Sequence, residues 1–298
     1  MQPTKGGGAR VAKYLKSLKV SSIDVLVATH PHADHIGGML AILQQFKIGK
    51  VWDSGYIHGS QTQQNFLEKV KAKYLQYGHP KTGFTQQFGD ARLDVLLPGE
   101  ELLSGTDSDA NNNSLVLRIS YGSTSFLLTG DMQDEERSTI SGWQQSTVLK
   151  VAHHGSHNGT DVSFAKQVHP QFAAISCGKG NSYGHPHAET LAALSSVGAQ
   201  IYRTDLNGTI VFTSDGKNVT VKTLGASDSS PPDSSMSTGS SSTTATPSGS
   251  GSYIGNRNTH KFHLPTCSYL PDLKNRVYFT TRGEAIAAGY VPCKKCNP

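Results

Sequence analysis

Six consecutive residues, His30-Pro31-His32-Ala33-Asp34-His35, put three imidazoles and a carboxylate into one short stretch. Imidazole and carboxylate are suitable donors for zinc, manganese or iron, and a site built from them on one loop leaves coordination positions open to water. A lone histidine is usually a packed or solvated side chain. Four potential ligands within six residues are not explained by packing, so the stretch is assigned to a metal site, and metal-assisted hydrolysis is the chemistry it would serve.

The surrounding elements suit that assignment. The apolar run at residues 23–29 predicts a buried strand, and residues 39–46 predict a helix, so the ligands occupy a strand-to-helix loop, where scaffolds often present reactive groups. Before it, Val11, Tyr14, Leu15 and Leu18 have helical spacing over residues 9–18. After it come a short strand at 51–53, a helix near 62–77 with Phe66, Val70 and Tyr74 on one face, and a strand at 93–97. A hairpin is expected from 115–119 and 125–129 around Tyr121-Gly122. Strands at 148–152 and 172–177 alternate with helices at 161–168 and 188–197, and strands at 201–204, 209–213 and 219–224 follow. This α/β pattern fits two sheets covered by helices.

Residues 225–252 are almost entirely Ser, Thr, Gly, Pro and Asp, a composition that cannot bury enough surface to fold and predicts a flexible linker. Three segments result: 1–224, the linker 225–252, and a small module 253–298. No run approaches membrane-spanning length, and the first residues do not have the pattern of a signal peptide. The formal charge of +5 is concentrated in the last segment, where seven Lys/Arg face only Asp272 and Glu284. A basic module suggests an acidic partner such as nucleic acid, simple solubility being the plainer account. Within it, His263-x3-Cys267 and Cys293-x2-Cys296 have the spacing of a closed Cys3His zinc site, a staple that so small a module needs. The competing account, a Cys293–Cys296 disulfide, leaves Cys267 unpaired. Cys177 is expected only to pack.

The H-x-H-x-D-H stretch resembles the signature of the metallo-β-lactamase superfamily, over most of residues 1–224. The resemblance implies an αββα sandwich in which His30 and His32 hold one divalent metal, zinc or manganese, and Asp34 and His35 hold or face a second. Thr129-Gly130-Asp131 resembles the family's metal-bridging aspartate. Of His153-His154-Gly155-Ser156, adjacent side chains pointing differently, His154 is taken as the ligand and His153 as proton donor or phosphate contact. His185, in Ser182-Tyr183-Gly184-His185-Pro186-His187, falls where the family places its last metal histidine, while His187 starts the next helix. The third family ligand, a histidine before the 115–119 strand, is missing. That turn is Asp109-Ala110-Asn111-Asn112-Asn113-Ser114, and the double histidine is expected to replace the ligand. The N-N-N-S-L-V-L, L-L-T-G-D, L-K-V-A-H-H-G-S and S-Y-G-H-P-H runs together resemble the soluble domain of ComEC-type competence (DNA-uptake) proteins. Family members also begin with strands and a D-x-G-x-G-type turn ahead of the first helix. Here Gly6-Gly7-Gly8 looks like the tail of that turn, and absence of those strands is expected to expose a sheet edge and leave the domain marginal. The last segment resembles the Ada-type metal-binding module, with His263 in place of one of its four cysteines, which favours a structural zinc over alkyl transfer.

These resemblances imply a two-metal phosphodiester hydrolase acting on DNA, with Asp34 orienting the nucleophile. Two alternatives stay open: hydrolysis of a cell-wall or phosphorylcholine-type phosphodiester, and a DNA-binding protein without activity. The Asp34/His35 pair argues against β-lactam hydrolysis. The Ser/Thr/Pro-rich linker points to an extracytoplasmic or secreted bacterial protein.

Overall fold

Alternating apolar residues in the first strand set the layering. In β1 (Ser22–Ala28), Leu26 and Ala28 face one side and Val25 and Val27 the other, so both faces must be covered. The structure, a computed structural model, describes residues 7–225 and, of the tail, 253–257, 259–264, 267, 270, 271, 275–279, 281–293, 295 and 296.

The first half comprises α1 (Gly7–Ser17), β1, α2 (Ala33–Ile36), α3 (Met39–Gln45), β2 (Lys47–Asp53), α4 (Gln61–Ala72) and β3 (Gln76–Gly78). Its strands form a parallel sheet in the order β1-β2-β3. The second half adds β4 (Thr85–Phe88), β5 (Ala91–Leu97), β6 (Val116–Tyr121), β7 (Thr124–Leu128), α5 (Asp134–Arg137), β8 (Val148–Lys150), α6 (Val162–Val168), β9 (Phe172–Ile175), α7 (Ala188–Ser196) and β10 (Gln200–Arg203). These strands form a mixed seven-stranded sheet, β10-β9-β8-β7-β6-β5-β4. A short helix α8 (Thr204–Asn207) and a separate hairpin, β11 (Thr209–Ser214) with β12 (Val219–Leu224), complete the unit.

Three apolar layers fill the spaces between these elements. Ala12, Leu43, Phe66 and Val70 pack the first-half helices on the outer face of the small sheet. Trp52, Val95, Leu115 and Leu117 fill the space between the sheets. Leu127, Leu149, Phe164, Ala173 and Leu194 lie between the large sheet and α6 and α7. The result is the expected helix–sheet–sheet–helix sandwich.

Several expectations need correction. The helix expected to reach residue 77 ends at Ala72; Tyr74 takes a left-handed conformation, φ 52°, with its side chain 95% exposed, and Tyr77 belongs to β3. β4, polar except for Phe88, gave too little apolar signal. In α1, Ala12 is buried and Leu15 partly buried, while Val11 and Leu18 face solvent. The cause is glycine: a Cβ on Gly8 would lie 2.3 Å from the Gly38 carbonyl oxygen. Gly7 and Gly8 thus open a helix that presses on the end of the ligand loop, instead of forming the tail of a turn. Among the described residues, β1 pairs with β2 alone and forms an edge of its sheet.

The chain divides into two compact units at Pro231/Pro232, inside the expected linker, of which residues 226–252 lie outside the described ones. The second unit has its own four-stranded sheet in the order β15-β13-β14-β16: β13 (Tyr253–Asn256), β14 (Lys261–His263), β15 (Arg276–Phe279) and β16 (Val291–Pro292), with α9 (Arg282–Ala287) before β16. Its core is small, built on Phe262, Phe279, Ala285 and Tyr290. No described helix is long and apolar enough to cross a membrane.

Candidate metal centre

In the first unit, the loops that carry its expected ligands meet at one place. β1 ends at Ala28, and Thr29 then steps the chain into His30-Pro31-His32 before α2 carries Asp34 and His35. Thr29 joins the two sheets, since its carbonyl accepts from Leu115 N at 2.7 Å. Its hydroxyl lies 3.2 Å from His30 Nδ1, which leaves His30 Nε2 turned to the interior.

Asp131 follows β7 through Gly130, which has φ 53° and lies against Ser114 and Thr29. A Cβ there would be 2.9 Å from Ser114 Oγ, so glycine is required on both counts. The Asp131 backbone N donates to that same Ser114 Oγ at 3.1 Å. Next, β8 leads into Ala152-His153-His154-Gly155, where His153 (φ 45°, ψ 47°) and His154 (φ 55°, ψ 19°) are both left-handed. Non-glycine residues held there cost on the order of 1 kcal/mol each, a strain typical of functional sites. It turns both imidazoles toward the same pocket.

The side chains form a tight knot. Ligand atoms of Asp34, His35, Asp131 and His154 all lie within 4.8 Å of one another. Asp131 Oδ2 is 3.1 Å from His35 Nε2, 3.2 Å from His154 Nε2 and 3.6 Å from His30 Nε2. His154 Nε2 is also 3.1 Å from Asp34 Oδ2, while its Nδ1 lies 2.7 Å from the Ser176 carbonyl oxygen. That carbonyl fixes the Nδ1–H tautomer and presents Nε2 to the knot, the usual second support of a metal histidine.

Electrostatics follow from this crowding. Burial works against the charges of Asp34 and Asp131, but hydrogen bonds from His154, and for Asp131 also from His35, outweigh it. Asp34 is brought down to about 2 and Asp131 lies well below the usual carboxylate range. Burial also works against protonation of His154, yet its bonds to Asp131 and Asp34 raise it to about 9. Burial, with its neighbours, drives His30 well down, and burial lowers His32. His185 falls to about 4 through burial and the nearby His153, His187 and His154.

The remaining predicted residues surround the knot. His32, His153 and His185 line a cavity of about 420 Å³ together with Asp34, Asp131 and His154. The His32 ring is 4.9 Å from that of His30, and the His185 ring is 6.4 Å from that of His154 and nearly parallel to it. His153, at the cavity wall, is also held by protein: Nδ1 lies 3.1 Å from Asn158 Oδ1 and 3.2 Å from Gln133 Nε2, and Nε2 lies 3.4 Å from Asn111 Nδ2. Burial lowers its pKa. These contacts fix its ring at the cavity wall. His187 is the N-cap of α7. Sequence spacing missed His58 and Asn111, which line the same cavity. His58 stands alone in a loop, and Asn111 opens the N-N-N-S run, where asparagine is ordinary turn chemistry.

Donor types and their unpaired atoms fit divalent cations. His30 Nε2 and Asp131 Oδ1 are buried without a hydrogen-bond partner, a costly arrangement that a cation would relieve. In the tail, one donor atom each of His263, Cys267, Cys293 and Cys296 lies within 4.8 Å of the others, and His263 Nδ1 is 3.3 Å from Cys267 Sγ, a donor set that fits tetrahedral zinc. Cys177, remote from that cluster in sequence, instead donates to Asp205 Oδ1 at 3.1 Å.

Comparison with known proteins gives a consistent picture. The family model described as Metallo-beta-lactamase superfamily matches residues 4–179, and that described as Metal binding domain of Ada matches residues 247–298. ComE operon protein 3 of Bacillus subtilis (strain 168) is 32% identical over 203 residues, 67% of this chain and 26% of that protein. Competence protein ComA of Neisseria gonorrhoeae is 29% identical over 202 residues, 66% of this chain and 26% of that protein. The chain therefore spans only about a quarter of the length of these relatives. Among solved structures, CmlA, a diiron beta-hydroxylase from Streptomyces venezuelae, shares 13% sequence identity at a TM-score of 0.43, covering 69% of this chain and 46% of that one.

Proposed function

Because the chain belongs to the metallo-beta-lactamase superfamily, we propose that it is a two-metal phosphodiester hydrolase whose substrate is DNA. The carrying observation is Asp131: a buried carboxylate with Oδ2 among three imidazole nitrogens and Oδ1 unpaired. Such a group suits a bridge between two cations. His30 and His32 would hold the first cation with Asp131. Asp34, His35 and His154 would hold the second, with His185 beside His154 completing the site. Zinc or manganese there would supply Lewis-acid stabilisation of phosphoryl charge and a water activated at neutral pH.

The chain's own residues supply the rest. Asp34, ionised down to about pH 2, accepts a hydrogen bond from the attacking water and orients it. Ser60 and Thr62, at the start of α4, and Tyr183 stand around the cavity and bound the volume open to a phosphodiester. DNA as substrate is supported by the competence proteins among the relatives and by the basic tail, in which a structural zinc would order the lysines and arginines that meet phosphate.

The test is hydrolysis by the full chain, loaded with manganese or zinc, of single- and double-stranded DNA. Cleavage should be abolished by chelation and cut by orders of magnitude in Asp34→Ala. Hydrolysis of bis-p-nitrophenyl phosphate without DNA cleavage would favour a cell-wall-type phosphodiester, and DNA binding without either cleavage an inactive binder.

A further inference from the structure

Besides His30 Nε2 and Asp131 Oδ1, a further buried polar atom lacks a partner, and its residue lines the cavity: Asn111 Oδ1. Unlike His30 and Asp131, Asn111 belongs to no ligand set discussed so far, and no metal family signature points to it. It is 4% exposed, and the turn that carries it is heavily secured. Asn112 Oδ1 accepts from Glu136 N at 3.1 Å while its Nδ2 donates to Gln133 and Glu135. Asn113 Nδ2 donates to the carbonyls of Leu103 and Asp109. The second and third asparagines of the run are thus spent on holding the loop, and only the first turns to the pocket.

The orientation of its amide is set from behind. Asn111 Nδ2 faces His153 Nε2 at 3.4 Å. His153 Nδ1 lies 3.2 Å from Gln133 Nε2, which would donate to it, and 3.1 Å from Asn158 Oδ1, which would accept from it; the second contact puts the proton on Nδ1 and leaves Nε2 to accept from Asn111. The carbonyl oxygen is then the Asn111 atom left over, in a cavity wall shared with His32 and Asp131. Backbone, side-chain network and histidine together hold a neutral oxygen donor in the wall of the cavity, whose first cation position has the fewest protein ligands.

We propose that Asn111 Oδ1 is the last protein ligand of the first cation, with His30, His32 and Asp131, and that His153 is the positioning residue that aims it. The proposal rests on the two-metal reading above. Two imidazoles, a carboxylate and an amide oxygen make a harder donor set than three imidazoles and a carboxylate, and hard oxygen donors suit manganese better than zinc. The missing family histidine is therefore replaced by Asn111, and not by the His153-His154 pair. The consequence is a first position tuned toward manganese.

The test uses the full chain stripped of metal and reloaded, with stoichiometry from elemental analysis and free manganese followed by electron paramagnetic resonance. Wild type should take two manganese ions in addition to the zinc of the tail. Asn111→Ala should weaken one of the two by about 10- to 100-fold and leave the other unchanged. Asn111→Asp, which keeps the oxygen, should hold both. Asn111→His should shift the first position toward zinc over manganese by at least about tenfold, as an imidazole replaces the oxygen. Melting of the metal-free proteins checks folding; if Asn111→Ala does not fold, Asn111→Asp and Asn111→His carry the test. Asn111→Ala binding both ions with wild-type affinity, or Asn111→Asp losing one, overturns the proposal and makes the amide a substrate contact. These readouts are independent of hydrolysis. Wild type that binds two ions but cleaves no phosphodiester refutes the function proposed above and leaves this one standing, whereas wild type that takes up no manganese refutes this one.

Discussion

Metal-free protein should lose stability as the pH rises from about 6.5 to about 9. His154 is the reason: in the folded chain its imidazolium is held by Asp131 and Asp34 and titrates at about 9, against 6.5 when unperturbed. A group with a raised folded pKa contributes fully below its unfolded value and loses that contribution as the pH passes its folded value. The difference corresponds to about 3 kcal/mol. That is an upper bound, because the same attraction also depresses Asp34, whose own contribution is lost only in acid as the pH falls from 3.8 toward about 2. Bound cations should reverse the trend, since they require the neutral imidazole and compete with its proton. The assay is urea unfolding of chelated protein at pH 6, 7.5 and 9, followed through Trp52 and Trp143, which lie in different apolar layers. His154→Gln should flatten the dependence. Stability that is level across this range, or an unchanged slope in His154→Gln, would refute the argument.

Three further outcomes are expected. Glu136 is buried, with Oε1 unpaired and only Ser114 N donating to Oε2, and burial pushes its pKa well up; the carboxylate therefore destabilises the fold as the pH rises through that value. Glu136→Gln should melt higher than wild type at pH 8, and the gap should close toward pH 5, as measured by thermal circular dichroism. Gly8→Val would drive a side chain into the Gly38 carbonyl, 2.3 Å from the position of its Cβ, and should cost about 1–3 kcal/mol in urea unfolding. Cys267→Ser should remove zinc from the tail and, because the core there is so small, unfold that module alone; DNA association should weaken and become less salt-sensitive, while cleavage of bis-p-nitrophenyl phosphate persists.

The legible parts of the molecule were those whose signal is local. His30, His32, Asp34 and His35 lie within six residues, and each later ligand of that site follows an apolar strand, so order along the chain foretold convergence in space. β3 and β4 were hidden for opposite reasons. β3 follows closely on α4, and its Tyr77 extended the helical pattern, whereas β4 is Thr85-Gln86-Gln87-Phe88, held mainly by pairing with β5, with Phe88 its one apolar anchor. The buried face of α1 was misjudged because what decides it is the absence of side chains at Gly8 and Gly38, which hydrophobic periodicity does not register. Asn111 was passed over for a similar reason: asparagine in a turn is ordinary, and only the pairing of its two neighbours reveals that one of three is held in reserve.

Joining of the two sheets carries a consequence for how the molecule comes apart. One set of candidate ligands hangs from the small sheet and the other from the large one, and between them lie an apolar layer, the Leu115–Thr29 backbone bond and side-chain links such as Lys50 to Gln86. Cations shared by Asp34 and Asp131 would act as a rivet through this seam, closing a chain loop of about a hundred residues. With the rivet drawn, the seam becomes the boundary along which the hydrolase unit yields first. Amides of β1, β2 and β3 should then exchange with solvent ahead of those of β7, β8 and β9, so that an intruding chelator leaves a half-opened book whose large sheet and outer helices still hold as one leaf.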